Sequence, residues 1–348
     1  MTDLADPPVL VEQRGRLGLL TLNRPRSINA LDLQMVHMVT EALHAWADDP
    51  TIATVAITGA GERGLCAGGD IVVLYRAAKG EDPEQAAEFW RAEYMLNSLI
   101  SRYPKPYVAL MDGIVLGGGV GISAHGSHRI VTERTRIGMP ETGIGYVPDV
   151  GGTRLLALAP GELGTHAALT GGMLGAGDAV LLGLADSYVP SDRLEDLLVA
   201  LETRAADDAI AAEAESAPAA MLAGESWIDD AYAGDDLQSI VDRLSAGAES
   251  ARAVAEVLAR RSPTALAITL RALRIAAGEK SLEAALQREY RVSMHMLDVP
   301  DFAEGIRAQV IDKDRTPHWM PTAIVDVDAE TVERAFGPVD PELQFPAR

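Results

Sequence analysis

The chain has 348 residues, of which 48% are hydrophobic and 23% charged, and 30 Lys or Arg stand against 51 Asp or Glu for a formal net charge of −21. That length allows a large buried core, as one big domain with an attachment or as two domains. The acidity excludes non-specific nucleic-acid binding and docking on anionic lipid, both of which need clustered cations.

In chain order, Leu17–Leu22 reads as a strand broken by Asn23-Arg24-Pro25. Asp32 reads as a helix N-cap, with Val36, Val39, Leu43 and Trp46 following at helical spacing. Ile52–Thr58 is a continuous apolar run of the kind found in buried strands. A helical pattern covers Ala86–Ser101, and Pro106–Met111 and Arg129–Thr132 read as further strands. Strands alternating with helices mean an α/β protein. Leu201–Ser250 holds 12 Asp or Glu against 2 Arg and reads as a helical, solvent-facing attachment. From Ser262 the chain is helical and more basic, with Ser281 capping a long helix through Leu297. The proline-containing tail beyond Trp319 reads as extended. The expected division is therefore a core over 1–200, the acidic attachment over 201–260, and C-terminal helices with the tail over 261–348.

Cys66 is the only cysteine, which rules out an intrachain disulfide and a cysteine-rich metal site and fits a cytoplasmic protein. The acidic first residues carry neither a secretory nor an Arg-rich transit pattern, and no run of about 18 apolar residues predicts a membrane span.

Three segments carry candidate chemistry. Gly117-Gly118-Gly119 follows a strand and precedes a helical pattern, so it is either a tight turn or a place where bare amides meet an oxyanion. Gly64–Asp70 offers a second such loop. Two donors on one carbonyl oxygen would suit a thioester enolate or tetrahedral intermediate, and each is worth about 2.7–4 kcal/mol in the transition state. Met139–Asp149 holds two carboxylates, Glu141 and Asp149. These are candidates for acid–base work, and Asp149 alternatively for a helix cap. Arg24 and Arg26 are a candidate anion-binding pair or solvated surface. The dinucleotide, phosphate-loop, serine-hydrolase and zinc-protease signatures are absent. Cys66 reads as a small buried hydrophobe rather than a nucleophile, and His125 and His128 as packing or surface residues rather than metal ligands.

Leu22-Asn23-Arg24-Pro25, Asn29-Ala30-Leu31, Ala67-Gly68-Gly69-Asp70-Ile71, Gly117–Gly119 and Pro140-Glu141, in this order, resemble the crotonase (enoyl-CoA hydratase/isomerase) superfamily. The resemblance implies a spiral of ββα units with a helical C-terminal part and assembly as a homo-oligomer such as a trimer. It places oxyanion amides on Ala67 and Gly118, and CoA contacts on Arg24, Arg26, Ala67, Gly68, Gly69 and Asp70. One hydratase glutamate falls on Glu141, whereas the other falls on Gly121, which has no side chain. A narrower resemblance, to the 3-hydroxyisobutyryl-CoA hydrolase branch, rests on Glu93–Asn97, Lys105–Leu110, Gly117–Gly121, Met139–Thr142, Pro148–Gly152 and Ile311–Trp319. It implies catalysis by Glu141 and Asp149, acyl contacts from Glu93, Gly117 and Gly119, an acyl-CoA substrate, and no metal or other cofactor beyond the CoA of the substrate. The readings carried forward are a short-chain acyl-CoA hydrolase of valine breakdown, a hydratase or isomerase of the same fold, and a non-catalytic acyl-CoA-binding protein.

Overall fold

The computed structural model describes residues 7–346. Its strands are β1 (Val9–Arg14), β2 (Leu17–Leu22), β3 (Thr54–Gly59), β4 (Tyr107–Met111), β5 (Ile114–Leu116), β6 (His128–Val131), β7 (Arg136–Gly138) and β8 (Ser187–Tyr188). Six of them form one sheet in the order β1-β2-β3-β4-β6-β8, and β5 pairs with β7 separately. Within the six-stranded sheet β1 and β2 pair antiparallel, joined at Gly15, whose φ of +57° is left-handed. The pairs β2–β3, β3–β4, β4–β6 and β6–β8 of this sheet are parallel. Parallel strands are covered on both faces, which is why LGLLTL and YVALM read as unbroken apolar runs rather than alternating ones. The α/β class expected from the sequence is the one observed.

The chain divides into two compact units that do not follow chain order. The first comprises residues 1–69, 95–137 and 174–220, and the second 70–94, 138–173 and 221–348. The expected blocks 1–200, 201–260 and 261–348 therefore do not coincide with them.

The first unit contains the six-stranded sheet. Leu17, Leu19, Val108, Leu110 and Ile130 of the sheet pack with Leu197 and Leu201 from the helix Leu194–Leu201 and with Ala209 and Ile210 from the helix Ala206–Glu213. In the helix Leu33–Ala47 the Asp32 carboxylate accepts from the Met35 amide at 2.9 Å, the cap expected there.

The second unit is helical. Leu169, Ile228, Tyr232, Leu237, Ile240, Leu244, Leu266 and Leu270 form its apolar cluster. Much of the acidic segment belongs here, and it is not purely solvent-facing. Its charged residues occupy the outer positions of helices whose apolar stripes are buried, a pattern that net charge alone hides. Ser281 caps the helix Leu282–Met296, its hydroxyl oxygen accepting from the Ala284 amide at 3.2 Å. The tail is irregular apart from the 3-10 turn Ile324–Asp326 and the short helix Ala329–Arg334, which Asp328 caps through the Glu330 and Thr331 amides. The surrounding prolines obscure that cap in the sequence. Among the described residues no helix is long and apolar enough to cross a membrane.

Candidate active site

Two glycine loops meet within the first unit. Cys66 bridges Val115 in a parallel register, its amide donating to Ile114 O at 3.1 Å and its carbonyl accepting from Leu116 N at 3.0 Å. This brings the backbone of 66–69 against that of 116–119. A Cβ on Gly119 would lie 2.5 Å from the Cys66 carbonyl oxygen, and one on Gly68 would lie 3.6 Å from the Gly118 nitrogen. Only glycine permits the approach at 119, and the φ of +106° at Gly68 favours glycine there for its backbone conformation. Gly117, at φ +49°, turns the chain into the helix Gly118–Ser123, where Gly121 is buried. The Gly118 amide has no hydrogen-bond acceptor among the described residues. The Ala67 amide does: it donates to Ile28 O at 2.9 Å. As the backbone stands, Ala67 is therefore not a free oxyanion donor. Over residues 66–69 the amide without a hydrogen-bond acceptor among the described residues is that of Gly69. The reason is local, because residues 28–31 run parallel to 67–69, with Leu31 N donating to Gly68 O, and this pairing uses the Ala67 N–H.

The carboxylates cluster within the second unit. Glu141 opens the 3-10 turn Glu141–Ile144, which closes at Gly145 (φ +69°). A Cβ on Gly145 would fall 2.1 Å from Asp301 O, so glycine is required there. Asp149 is not a side-chain cap. Its main-chain oxygen accepts from Gly152 N at 2.6 Å, while its Oδ2 accepts from the Tyr94 hydroxyl at 2.8 Å and the Tyr146 hydroxyl at 3.3 Å. Both hydroxyls also contact Ser293 Oγ, which donates to Glu289 O at 2.8 Å. Val150 sits at φ +51°, a strained conformation for a β-branched residue.

The turn after Asp149 is held by Glu289. Its carboxylate accepts from Gly151 N at 2.6 Å, from Thr153 N at 3.2 Å and from the Thr153 hydroxyl. The helix Gly152–Ala157 has no cap from its own N-cap residue, so Glu289 supplies one from the helix Leu282–Met296. Arg288 donates to Thr153 Oγ1 at 2.8 Å and pairs with Glu279 at 2.9 Å.

Glu93, Glu141 and Asp149 are 2%, 6% and 6% exposed. Burial is the first cause of every shift among them, because it removes water from the charged form. It pushes Asp149 up to about 6, against the lowering effect of hydrogen bonds from Tyr94 and Tyr146. Burial and then the Asp149 charge raise Glu93 well above the ordinary glutamate value. Burial, Asp149 and, more weakly, Glu93 do the same to Glu141. Burial takes Glu289 up to about 7, opposed by Arg288 and Thr153. Glu93 Oε1 and Glu141 Oε2 are buried with no hydrogen-bond partner. Buried polar atoms are normally paired, so such orphans mark where a ligand's polar groups belong.

Of the other sequence candidates, Asp70 caps the helix Ile71–Ala78 through Val72 N, Arg24 binds Ala30 O at 2.6 Å and Asp32 at 3.2 Å, and Arg26 is exposed. Cys66 is buried and hydrogen-bonded to Gly68, as a small packing residue. His128 pairs with Asp207 at 3.1 Å. Among the described residues no group of three His, Cys, Asp or Glu is placed to hold a metal ion. Sequence reading missed Tyr94, Tyr146, Ser293 and Glu289. The one signal available was local: Tyr94 adjoins Glu93, and Tyr146 lies three residues before Asp149.

Unengaged loop amides in one unit and buried carboxylates with raised proton affinity in the other are the parts of acyl or proton-transfer chemistry. The chain belongs to the enoyl-CoA hydratase/isomerase family, whose model matches residues 17–336. It is 39% identical to a mitochondrial 3-hydroxyisobutyryl-CoA hydrolase from Danio rerio, over 98% of this chain and 92% of that one. Among solved structures, a carnitinyl-CoA dehydratase from Mycobacterium thermoresistibile is 50% identical with a TM-score of 0.95, covering 98% and 99% of the two chains. An enoyl-CoA hydratase from Rhodobacter sphaeroides is 42% identical with a TM-score of 0.91, covering 97% and 100%. The fold is thus the crotonase fold that the motifs imply.

Proposed function

We propose that the chain hydrolyses a short-chain acyl-CoA thioester, with 3-hydroxyisobutyryl-CoA as substrate, releasing 3-hydroxyisobutyrate and CoA as in valine breakdown. The observation that carries this is the acid cluster of Glu93, Glu141 and Asp149, with its two orphaned oxygens. Relatives named as such hydrolases support it at near full length.

In this reading the Gly118 amide, with Gly69 replacing Ala67 as second donor, takes the charge that develops on the thioester oxygen. Glu141 either attacks the carbonyl carbon or removes a proton from the attacking water. Labelled oxygen from water entering Glu141 in a single turnover separates these routes. Asp149 holds and passes the proton that the departing thiolate needs. Glu93 hydrogen-bonds the substrate hydroxyl through its unpartnered oxygen. Arg24, Arg26 and the loop 67–70 are assigned to the CoA part, with Gly117 and Gly119 against the acyl group. The CoA of the substrate is the only cofactor-like group this chemistry asks for.

A second reading, hydration or dehydration of an acyl-CoA, is favoured by the names of the two similar structures. Against it stands Gly121, which leaves no side chain where that chemistry wants a second acid. The test follows free thiol release from 3-hydroxyisobutyryl-CoA beside loss of the enoyl absorbance of crotonyl-CoA. Enoyl turnover without thiol release would overturn the hydrolase reading. An acyl-CoA-binding role without catalysis would require that both signals stay flat.

The reading keeps the protein cytoplasmic and homo-oligomeric. The first rests on the lone cysteine, set against relatives named mitochondrial, and the second on the family resemblance. Cell fractionation and light scattering on the purified chain decide these two points.

A further inference from the structure

Five contacts among Asp149 Oδ2, the Tyr94 and Tyr146 hydroxyls, Ser293 Oγ and Glu289 O share three hydroxyl hydrogens. Glu289 O is a carbonyl and only accepts, so the Ser293 hydrogen is directed there. Each tyrosine then has one hydrogen and, besides the neighbouring phenol oxygen, two acceptors, the carboxylate and the serine oxygen. Tyr94 is nearly equidistant, at 2.8 Å from Asp149 and 2.9 Å from Ser293. The serine oxygen retains two lone pairs and can accept from both phenols. The rings themselves are fixed: Tyr146 stacks on Phe302 at 4.6 Å and Tyr94 meets Tyr290 edge-on at 6.5 Å.

We propose that Tyr94, Tyr146 and Ser293 form a hydroxyl switch that positions the charge of Asp149, a deepening that rests on the catalytic role assigned to Asp149 above. With Asp149 ionised, both phenolic hydrogens point to Oδ2. When Asp149 gains a proton, relayed from the attacking water through Glu141 in the general-base route or left by the water that cleaved the anhydride of the preceding turnover in the covalent route, the phenolic hydrogens rotate about their C–O bonds to Ser293 Oγ. When that proton passes to the departing CoA thiolate, forming the S–H bond as the C–S bond is lost, they rotate back. No proton leaves either phenol and no heavy atom moves, so the environment follows the charge with little reorganisation. The charged groups facing this switch are Glu93 from the helix Pro83–Ser101, Glu141 from its 3-10 turn, and Glu289 with Arg288 from the helix Leu282–Met296. The three glutamates oppose a charge on Asp149, and Arg288 is already paired with Glu279. The two hydroxyls thus do what no adjacent cation does.

The experiment is the pH profile of thiol release by the full chain with Tyr94→Phe, Tyr146→Phe and Ser293→Ala, phenylalanine preserving the ring packing. Loss of a donor to the ionised form moves the acidic limb of kcat/KM upward, by about one pH unit for Tyr94 and less for Tyr146 at its longer distance. Ser293→Ala removes the alternative acceptor, leaves both hydrogens on Asp149, and moves the limb the opposite way. Packing damage alone lowers activity without opposite displacements. An unmoved limb in both phenylalanine variants, or the same direction in all three, overturns the proposal. Where a variant is too slow to assay, titration of the Asp149 carboxyl by 13C NMR gives the same readout, its signal identified by its loss in Asp149→Asn. Asp149→Asn also separates the two levels of inference. Full thiol release by that variant removes the catalytic role of Asp149, whereas inactivity with an unmoved acidic limb in the tyrosine variants removes the switch alone.

Discussion

Replacing Asp149 with asparagine should make the protein more stable at neutral pH while abolishing turnover. Asp149 is almost wholly buried, and its carboxyl is raised from 3.8 to about 6. A raised carboxyl binds its proton more tightly folded than unfolded. The stability it contributes is therefore fully present below about pH 4 and is lost as pH rises through 6. Two pH units at 1.36 kcal/mol each give a cost of about 3 kcal/mol for carrying the charge at pH 7 to 8. Asparagine keeps an oxygen for the Tyr94 and Tyr146 hydroxyls and never ionises. Its introduction also removes the like charge that raises Glu93 and Glu141, which adds in the same direction. The measurement is guanidinium unfolding of parent and Asp149→Asn at half-unit steps from pH 4 to 8. The gap between the two should widen in favour of the variant by about 3 kcal/mol across pH 4 to 7. A gap that stays constant, or that shrinks with rising pH, would refute the reasoning, because it would mean that Asp149 is charged at little cost.

Glu141→Gln should lower thiol release by roughly 100- to 10,000-fold, the range for loss of an acid–base group, with the circular dichroism spectrum unchanged. Glu93→Gln should narrow the preference for 3-hydroxyisobutyryl-CoA over its deshydroxy analogue by about tenfold or more, read as the ratio of kcat/KM values. Glu289→Ala leaves the Gly151 and Thr153 amides without their acceptor and Arg288 without one of its acidic neighbours. It should cost about 3–5 kcal/mol in denaturant unfolding, as for other broken buried charge networks.

The sequence exposed those parts of the fold whose causes are local. Asp32 and Ser281 could be recognised as caps because a cap acts within three residues. The parallel strands could be recognised because burial on both faces makes them continuously apolar. The acidic segment was misread as an attachment because its charge count outweighed the buried stripe of Leu237, Ile240 and Leu244. The motif resemblance places an oxyanion donor on Ala67 but carries no account of where each amide points. The pairing of Ala67 with Ile28, 39 positions earlier in the chain, can only be seen once 28–31 lies beside 67–69. Asp149 was open to two readings, and the one favoured by local chemistry alone, a helix cap, is the one its carboxylate does not fulfil. Of its two hydroxyl partners only Tyr146 is local; Tyr94 comes from 55 residues away, and the Ser293 hydroxyl that Tyr94 also contacts lies 199 residues from Tyr94.

The features that raise the free energy of this fold are concentrated rather than scattered. Glu141, Asp149 and Val150 lie within ten residues, and they supply a raised carboxyl, a second raised carboxyl and a strained β-branched backbone. Natural packing would remove each of these if stability alone selected the sequence, since asparagine, glutamine and glycine at those positions cost less. What holds the stretch in place lies outside it. Glu289 ties down the Gly151 and Thr153 amides, Tyr94 and Tyr146 address one oxygen of Asp149, and the Phe302 ring backs Tyr146. Rigid support around a destabilised centre is the arrangement expected of groups that must keep unfavourable protonation states ready for reaction. It follows that substitutions in the supporting groups should reduce stability, whereas conservative neutralisation of the supported carboxylates should raise it. That opposition in sign distinguishes a working site from a merely crowded core.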